Sequence, residues 1–479
     1  MTIPEKTAII EGLRREFTFR STFSLAFAFI SPIIGLYTIF ALSLGAAGPA
    51  FWWGFFIVLG GQLLVALVLA ELASVWPLAG GLYKWTQKLA GPTPGWAAGW
   101  AYVWTLIVLV TAQCFAAAPF LATLIGLEDP GTGVLLGLAV AVLVLATAAN
   151  LVGPRILKIF VVLSLLAELI GSVAIGTVLL LFFREQPFSA VFDGVGGTNP
   201  ALAPMLAVVA LIGWSFIGFE SAGDIAEECH EPRTQVPQAL VWSLVFVAIV
   251  VIYAALGLLL AIPDLGAAES GAVADPISQT IDAQLGAAVA RPLFALVVLS
   301  FIGGCAAVQA AVSRVIFALA RDRELPAAPW LGRLSETERL PRNAIVASAV
   351  AAGVLLLIAL SDNAYATLIS MATVGFYIAF AFPVLTALSA RLRGAWTPGP
   401  WNLGRIGLAV NVAAAIWVVF EIVNIAWPRT PGAPWYINWG ALLMVALVAL
   451  LGLLVRGTLH PSRRERAVGA PTEPAIDSL

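Results

Sequence analysis

The chain has 479 residues, of which 61% are hydrophobic and only 11% charged, with a mean hydropathy of +0.97. Soluble domains carry roughly 25% charged residues, so this composition excludes a water-soluble globular protein and predicts an all-α polytopic membrane protein. A net charge of −2 without a basic stripe gives no nucleic-acid partner, and three cysteines outside any CxxC with two histidines give no disulfide framework, metal cluster or cofactor.

The N-terminal segment, 1–20, is polar and charged, without the apolar core of a cleavable signal, and is expected in the cytoplasm. Apolar runs of spanning length then fall at about 22–45, 51–75, 98–125, 133–150, 157–183, 203–223, 239–261, 291–319, 343–361, 365–390, 406–427 and 438–456, predicting twelve spans. Gly48-Pro49, Gly91-Pro92, Asp129-Pro130-Gly131 and Pro431-Gly432 mark joints between them. With the N-terminus inside, the outer loops hold only Arg184, Arg291 and Arg429, and the other 22 of the 25 Lys and Arg residues fall on the cytoplasmic side. The positive-inside rule therefore predicts both termini in the cytoplasm of a multi-pass cell-membrane protein.

Span 1 carries Pro32 in its middle, flanked by Ser31 and followed by Ile33, Ile34 and Gly35. Proline removes a backbone donor, and membrane helices tolerate the resulting kink, so a simple kink is one reading and an interruption that builds a site is the other. The loop after span 2 holds Glu71 at its start, Gly80-Gly81, and a short amphipathic piece with Tyr83, Trp85 and two lysines, which an interfacial aromatic belt with basic anchors explains. Span 5 carries Glu168 about ten residues in from Lys158, near mid-membrane at 1.5 Å per residue. It is a candidate coupling group, with a structural hydrogen bond to another helix as the alternative.

Span 6 becomes irregular from Leu211 to Glu228. Gly213 and Gly218 bracket Trp214, Ser215, Phe216 and Ile217, and Glu220 stands where a spanning helix carries an aliphatic residue. A carboxylate near mid-bilayer costs roughly 2.5–3.5 kcal/mol on insertion scales and marks a functional site by default; a kinked helix whose Glu220 pairs for structure alone is the competing reading. Interrupted helices at matching places in two five-span halves point to an inverted-repeat transporter. Beyond span 6, Glu227, Glu228 and Arg233 are charges that can close a cytoplasmic gate through exposed pairs with basic loops, each worth roughly 0–1 kcal/mol. In span 8, Gln309 is an intramembrane amide in a stretch of small residues, 303–311, suited to close helix packing. The acidic outer loop at about 262–290 is expected to be a solvated lid or spacer, Glu421 and Asn424 have no assigned role, and the tail from Arg463 to Leu479 is expected to be disordered.

With these residues in view, the chain resembles the amino acid–polyamine–organocation superfamily. The matching stretches are GLYTIF and AGPA around the end of span 1, AELASVWPLAGGLYKWTQKLAGP after span 2, GWSFIGFESAGDIAEE with EPRTQVPQA around span 6, and SRVIFALARDRELP after span 8, spread over about 20–390. The resemblance implies a five-plus-five inverted-repeat core over 21–390, two added helices over 391–458, a cytoplasmic tail over 459–479, and alternating access driven by a proton or Na⁺ gradient. It also implies that the unwound segment of Ser31, Pro32, Ile33, Ile34 and Gly35 turns its free amides to a substrate carboxylate at a helix N-terminus. Carbonyls of the Gly213 to Ile217 segment would face the substrate ammonium, with Trp214 over the site and Glu220 selecting an amine. Three positions depart from the family pattern. Ile33-Ile34-Gly35 replaces Gly-Ser-Gly and crowds the carboxylate pocket, Glu231-Pro232 replaces Asn-Pro, and Glu168, fifteen residues after Gly153, stands where some proton-coupled relatives have lysine.

The function expected is secondary-active transport of amino acids or related amines, with a proton as the expected coupling ion. Exchange or uniport of amines such as γ-aminobutyrate or polyamines is the alternative, as is a non-transporting sensor of the same fold. No HExxH and no GxSxG with a partner histidine supports an enzyme. The expected partners are a small-molecule substrate and membrane lipid.

Overall fold

The computed structural model describes residues 15–127, 130–193, 202–273, 275–358, 364–429 and 435–468. Residues 1–14, which include Arg14 of the expected cytoplasmic segment, lie outside it, as do Asp129, the Pro431-Gly432 joint and the last residues of the tail, 469–479. Helices make up nearly all of the described chain: α1 Phe19–Ile30, α2 Pro32–Ala47, α3 Trp52–Val75, α4 Gly81–Ala90, α5 Pro92–Leu124, α6 Thr132–Val152, α7 Pro154–Glu168, α8 Ile175–Phe182, α9 Leu202–Ile212 and α10 Ser221–Asp224. There follow α11 Pro232–Ala261, α12 Leu265–Glu269, α13 Pro276–Leu285, α14 Ala287–Arg321, α15 Ala328–Leu331, α16 Arg342–Ile358, α17 Ala364–Leu392, α18 Gly407–Ala426, α19 Trp435–Asn438 and α20 Gly440–Val468. Among the described residues the only extended pairing is one parallel bridge between Phe17 and Cys229.

A helix lies at each of the twelve expected apolar runs, and several begin earlier than hydropathy alone places them. Pro92, Pro154 and Pro232 each occupy the first turn of their helix, where a missing N–H costs nothing and the fixed φ is already helical. Among the described residues ten helical stretches are long and apolar enough to cross a membrane; the first runs 57 residues from Phe19 to Val75, and Arg342–Leu357 is a shorter apolar helix. Lipid cannot hydrogen-bond a backbone, so continuous helices of this length are what such a sequence must form.

The centre of the bundle is α14, which packs against α1, α5, α6, α7 and α16. Small residues permit this. A Cβ on Gly303 would sit 2.3 Å from the Ser164 Cβ of α7. Gln309 is satisfied across helices, donating to Thr147 Oγ1 at 2.9 Å and accepting from Asn150 Nδ2 at 3.3 Å. By contrast α20 lies at the periphery, packed chiefly on α17 and α5.

Three expectations are corrected. The loop after span 2 is not an interfacial belt: Tyr83 and Trp85 of α4 are fully buried, Trp85 Nε1 donates to the Trp76 carbonyl at 2.8 Å, and Lys84 pairs with Asp322. The outer acidic loop is not a spacer: it folds into α12 and α13, capped by Asp264 and Asp275, whose side chains accept from the Ala267 and Ser278 amides, and it buries Ile277 and Ile281. The tail does not become irregular at Arg463, because α20 continues to Val468.

Candidate functional site

Span 1 is interrupted at Ser31. Pro32 cannot donate to the Ala28 carbonyl, and Ser31 takes φ 51°, ψ 104°, so the chain ends α1 and restarts α2 in one residue. The orphan donors at the start of α2 can be accounted for completely. Pro32 has none, the Ile33 N–H donates to Glu168 Oε2 at 2.7 Å, the Ile34 N–H to Ser31 Oγ at 3.1 Å, and the Gly35 N–H to the Ser31 carbonyl at 2.8 Å. The Ser31 hydroxyl in turn donates to Glu168 Oε1.

Glu168 thus places a carboxylate at a helix N-terminus, where backbone N–H groups and the helix dipole favour negative charge. It is fully buried and immediately precedes a π-helical turn, Leu169–Ala174, that widens the helix between α7 and α8; such turns are frequent at functional sites. The structural hydrogen bond and the functional position are one arrangement. Of the amides that the family resemblance assigns to a substrate carboxylate, that of Ile33 is occupied by a carboxylate of the protein itself, and those of Ile34 and Gly35 by oxygens of Ser31.

Span 6 is interrupted more gradually. After α9 the chain tightens into a 3₁₀ turn, Gly213–Phe216, extends at Ile217 (φ −104°, ψ 154°), and passes Gly218 at φ +108° before α10. A side chain at Gly218 would be strained and would meet the Phe29 ring at 2.1 Å. The two interruptions touch. The Ser215 hydroxyl donates to the Gly35 carbonyl at 2.8 Å, and a Cβ on Gly35 would approach the Ser215 Cα to 3.2 Å. Trp214, Ser215, Phe216 and Ile217 are all buried. The structure therefore brings the Ser31–Gly35 and Gly213–Ile217 segments together, with Glu168 behind the first.

Glu220 turns away from that contact. Its Oε2 accepts from the Gly218 N–H at 3.0 Å, while Oε1 lies 2.9 Å from the Tyr102 hydroxyl of α5. The same hydroxyl lies 2.8 Å from Asp224 Oδ2. Asp224 is four residues after Glu220, so the pair of carboxylates was visible in the sequence as an i, i+4 pattern. Tyr102, 118 residues upstream of Glu220, carries no such signal.

The segment after span 6, expected on the cytoplasmic side, holds charged pairs. Glu227 accepts from both terminal nitrogens of Arg321 at 2.9 Å and from the Ala79 N–H at 3.1 Å. Glu228 pairs with Arg314 at 2.9 Å, and their side chains are 6% and 1% exposed. The expectation of exposed pairs with basic loops is corrected here, since Arg314 lies inside α14 and the pair is buried. Arg233 is exposed and makes no ion pair among the described residues. Beside these pairs Asp322 accepts from Lys84 and Tyr83. Burial favours its protonated form, but the hydrogen bonds from Lys84 and Tyr83 and the charges of Lys84 and Arg321 outweigh this and hold its carboxyl below the ordinary 3.8. The N-terminal segment is stitched to the same region, with the Glu16 and Phe17 amides donating to the Glu228 carbonyl at 2.9 Å. Sequence reasoning did not single out Arg314, Arg321 or Asp322 as gate partners.

Two further buried carboxylates are Glu71 and Glu421; the Oε1 of Glu421 accepts from Asn424 Nδ2 at 3.5 Å, and its Oε2 has no hydrogen-bond partner among the described residues. Glu71 pairs with Arg391 and accepts from the Leu403 N–H at 2.9 Å. On α18, Asn424 next to Glu421 donates to the Leu206 carbonyl of α9 at 3.0 Å and accepts from Arg429 at 2.5 Å. No group of three or more His, Cys, Asp or Glu poised to hold a metal occurs among the described residues.

Long apolar helices around two touching interruptions, one holding a buried carboxylate on free amides, define a multi-pass membrane protein of the transporter class. Residues 21–451 match the amino acid permease family, and the chain belongs to that family. It is 26% identical over 475 residues to the amino-acid permease BAT1 of Arabidopsis thaliana, covering 92% of this chain and 91% of that one. It is 26% identical over 453 residues to the GABA-specific permease of Saccharomyces cerevisiae, covering 86% and 76%. A putative amino acid/polyamine transporter of Macrophomina phaseolina is 25% identical over 402 residues, covering 79% and 87%. These relatives are permeases, not enzymes.

Proposed function

We propose that this permease is a proton-coupled symporter of an amino acid or a related amine across the cytoplasmic membrane, with Glu168 as its coupling group. The observation that carries this is the seat of Glu168 on the Ile33 N–H and the Ser31 hydroxyl. A charged Glu168 fills the anion seat at the start of α2 and competes with a substrate carboxylate. A protonated Glu168 accepts these donors less strongly, so the seat passes to the substrate, and proton and carboxylate bind together. On release to the cytoplasm the proton leaves and Glu168 returns to its amides. Coupling of this kind requires only that the two ligands favour the same conformation. Na⁺ held by the same carboxylate is the alternative driving ion.

The first helical stretch counts as two spans and Arg342–Ile358 as a further short one, which brings the ten long apolar stretches to twelve and leaves both termini inside. The interruptions of spans 1 and 6 then relate two five-helix halves, 21–390, by an inverted repeat, with α18 and α20 added. The Gly213–Ile217 segment, under Trp214, is the substrate's other wall, and Glu227, Glu228 and Arg233 belong to the cytoplasmic gate region.

The test is Glu168→Gln in proteoliposomes with imposed pH or Na⁺ gradients and labelled amino acids, γ-aminobutyrate and putrescine as probes. Gradient-driven accumulation disappears while exchange or binding survives. Accumulation with unchanged pH and Na⁺ dependence would remove Glu168 from coupling. A second reading is favoured by the same accounting of donors. With every amide at the start of α2 satisfied internally, an amine without a carboxylate can bind without displacing Glu168, and putrescine uptake that is indifferent to Glu168→Gln identifies that case.

A further inference from the structure

One hydroxyl proton cannot serve two carboxylates. Tyr102 Oη lies 2.9 Å from Glu220 Oε1 and 2.8 Å from Asp224 Oδ2, both hydrogen-bond separations between oxygens. The tyrosine has a single proton to donate. With both carboxylates ionised, one of these contacts is between lone pairs. With one carboxyl protonated, the count closes: the carboxylic acid donates to Tyr102 and Tyr102 donates to the other carboxylate.

Among the described residues no cation takes the proton's place. The elements packed most closely against α10 are α1, α4, α11, α14 and the turn Ala226–Glu228, and α5, which reaches it through Tyr102, carries no charged residue. Lys84 on α4 pairs with Asp322, Arg314 and Arg321 on α14 pair with Glu228 and Glu227, and Arg20, Lys88 and Arg233 are exposed. Tyr83 on α4 serves Asp322. All three members of the cluster are at least 99% buried. A second observation concerns the same cluster. Asp224 Oδ1 is buried with no hydrogen-bond partner, and it faces the start of α4, 2.8 Å from where a Cβ on Gly81 would stand.

We propose that Tyr102, Glu220 and Asp224 hold one exchangeable proton among them, and that this proton latches the second half of span 6 against α5 and α4. It is a proton site distinct from Glu168. Losing the proton leaves two buried carboxylates beside one hydroxyl, an arrangement that low dielectric makes unfavourable. The strain is relieved by moving α10 away from Tyr102 so that water reaches both groups. That movement pulls on Glu227 and Glu228, three and four residues on, whose pairs with Arg321 and Arg314 close the cytoplasmic side. The proton balance is simple: protonated and latched on one side of the equilibrium, a proton released to cytoplasmic water and an opened α10 on the other.

The experiment needs no substrate. Full-length protein in lipid nanodiscs is titrated by infrared difference spectroscopy, and a protonated-carboxyl band is expected that is lost in Asp224→Asn or Glu220→Gln and is perturbed in Tyr102→Phe. In parallel, Ala79→Cys, placed where the Ala79 amide meets Glu227, is alkylated with N-ethylmaleimide in inside-out vesicles with Cys114, Cys229 and Cys305 replaced by serine. Labelling, divided at each pH by the rate of the same cysteine in denatured protein so that ionisation of the thiol itself cancels, is expected to rise about tenfold from acid to alkaline pH, equivalent to about 1.4 kcal/mol of latch. Asp224→Asn, which donates as the acid form does, stays slow at every pH. Tyr102→Phe labels fast at every pH. A wild-type pH response retained by Asp224→Asn overturns the proposal, and so does the absence of a protonated-carboxyl band sensitive to either acid. The infrared arm on the otherwise unaltered chain decides the question if the cysteine-free background does not fold. Because neither readout involves transport, their outcome is separate from that of Glu168→Gln.

Discussion

Two neighbouring glutamates just after span 6 should respond very differently to the same substitution. Glu228 and Arg314 are paired at 2.9 Å and 3.4 Å with side chains 6% and 1% exposed. Glu227 and Arg321 have equally good geometry, but their side chains are 19% and 33% exposed. Removing one partner of a buried pair leaves an uncompensated charge and costs about 3–5 kcal/mol. In Glu228→Gln the stranded guanidinium keeps only the Ser313 hydroxyl at 3.2 Å and the Ala310 carbonyl at 3.4 Å besides the new amide. Breaking the more exposed pair costs about 0–1 kcal/mol. The assay is a double-mutant cycle read as monodisperse protein surviving a heating series in detergent, using Glu228→Gln, Arg314→Met, both together, and Glu227→Gln. Glu228→Gln is expected to lose most of its folded protein, the double variant to recover much of it, and Glu227→Gln to resemble the parent. Equal losses from Glu228→Gln and Glu227→Gln would refute the argument from burial.

Trp214→Leu removes an indole from the Gly213–Phe216 turn without altering its backbone, so substrate affinity is expected to fall several-fold in binding assays while yield of folded protein is kept; unchanged transport kinetics would place the substrate elsewhere. Gly218→Ala places a side chain at φ +108° and 2.1 Å from Phe29, combining backbone strain of about 1–3 kcal/mol with overpacking of about 1–3 kcal/mol, and folded yield should drop sharply where Gly60→Ala, with open space around it, should not. Asp322, held below its ordinary value, keeps its clasp on Lys84 and Tyr83 above the ordinary aspartate range and loses it as pH falls through the lowered value. Asp322→Asn is therefore expected to raise labelling of Ala79→Cys by the same factor at every pH near neutrality, and a changed slope with pH would contradict that assignment.

The membrane class, the helix positions and the two interruptions were legible in the sequence, because each follows from a local rule. A bilayer demands long apolar helices, Pro32 deletes a specific backbone bond, and Gly213 and Gly218 free the chain around Trp214. The carboxylates were legible too, since Glu168 and Glu220 stand out against an apolar background. Their partners were not. Ser31 and Glu168 are 137 residues apart, Tyr102 and Asp224 122, and Glu228 and Arg314 86, and nothing in a local pattern selects one distant polar group over another. The same limit explains why Tyr83 and Trp85 read as an interfacial belt: amphipathic spacing shows that a helix has an apolar face but not whether lipid or protein covers it. Packing decided that the free amides of span 1 receive Glu168, that Glu220 turns toward Tyr102, and that Glu228 is closed off from water. Those choices are made by which helices touch, and a buried charge must take whatever partner that contact supplies.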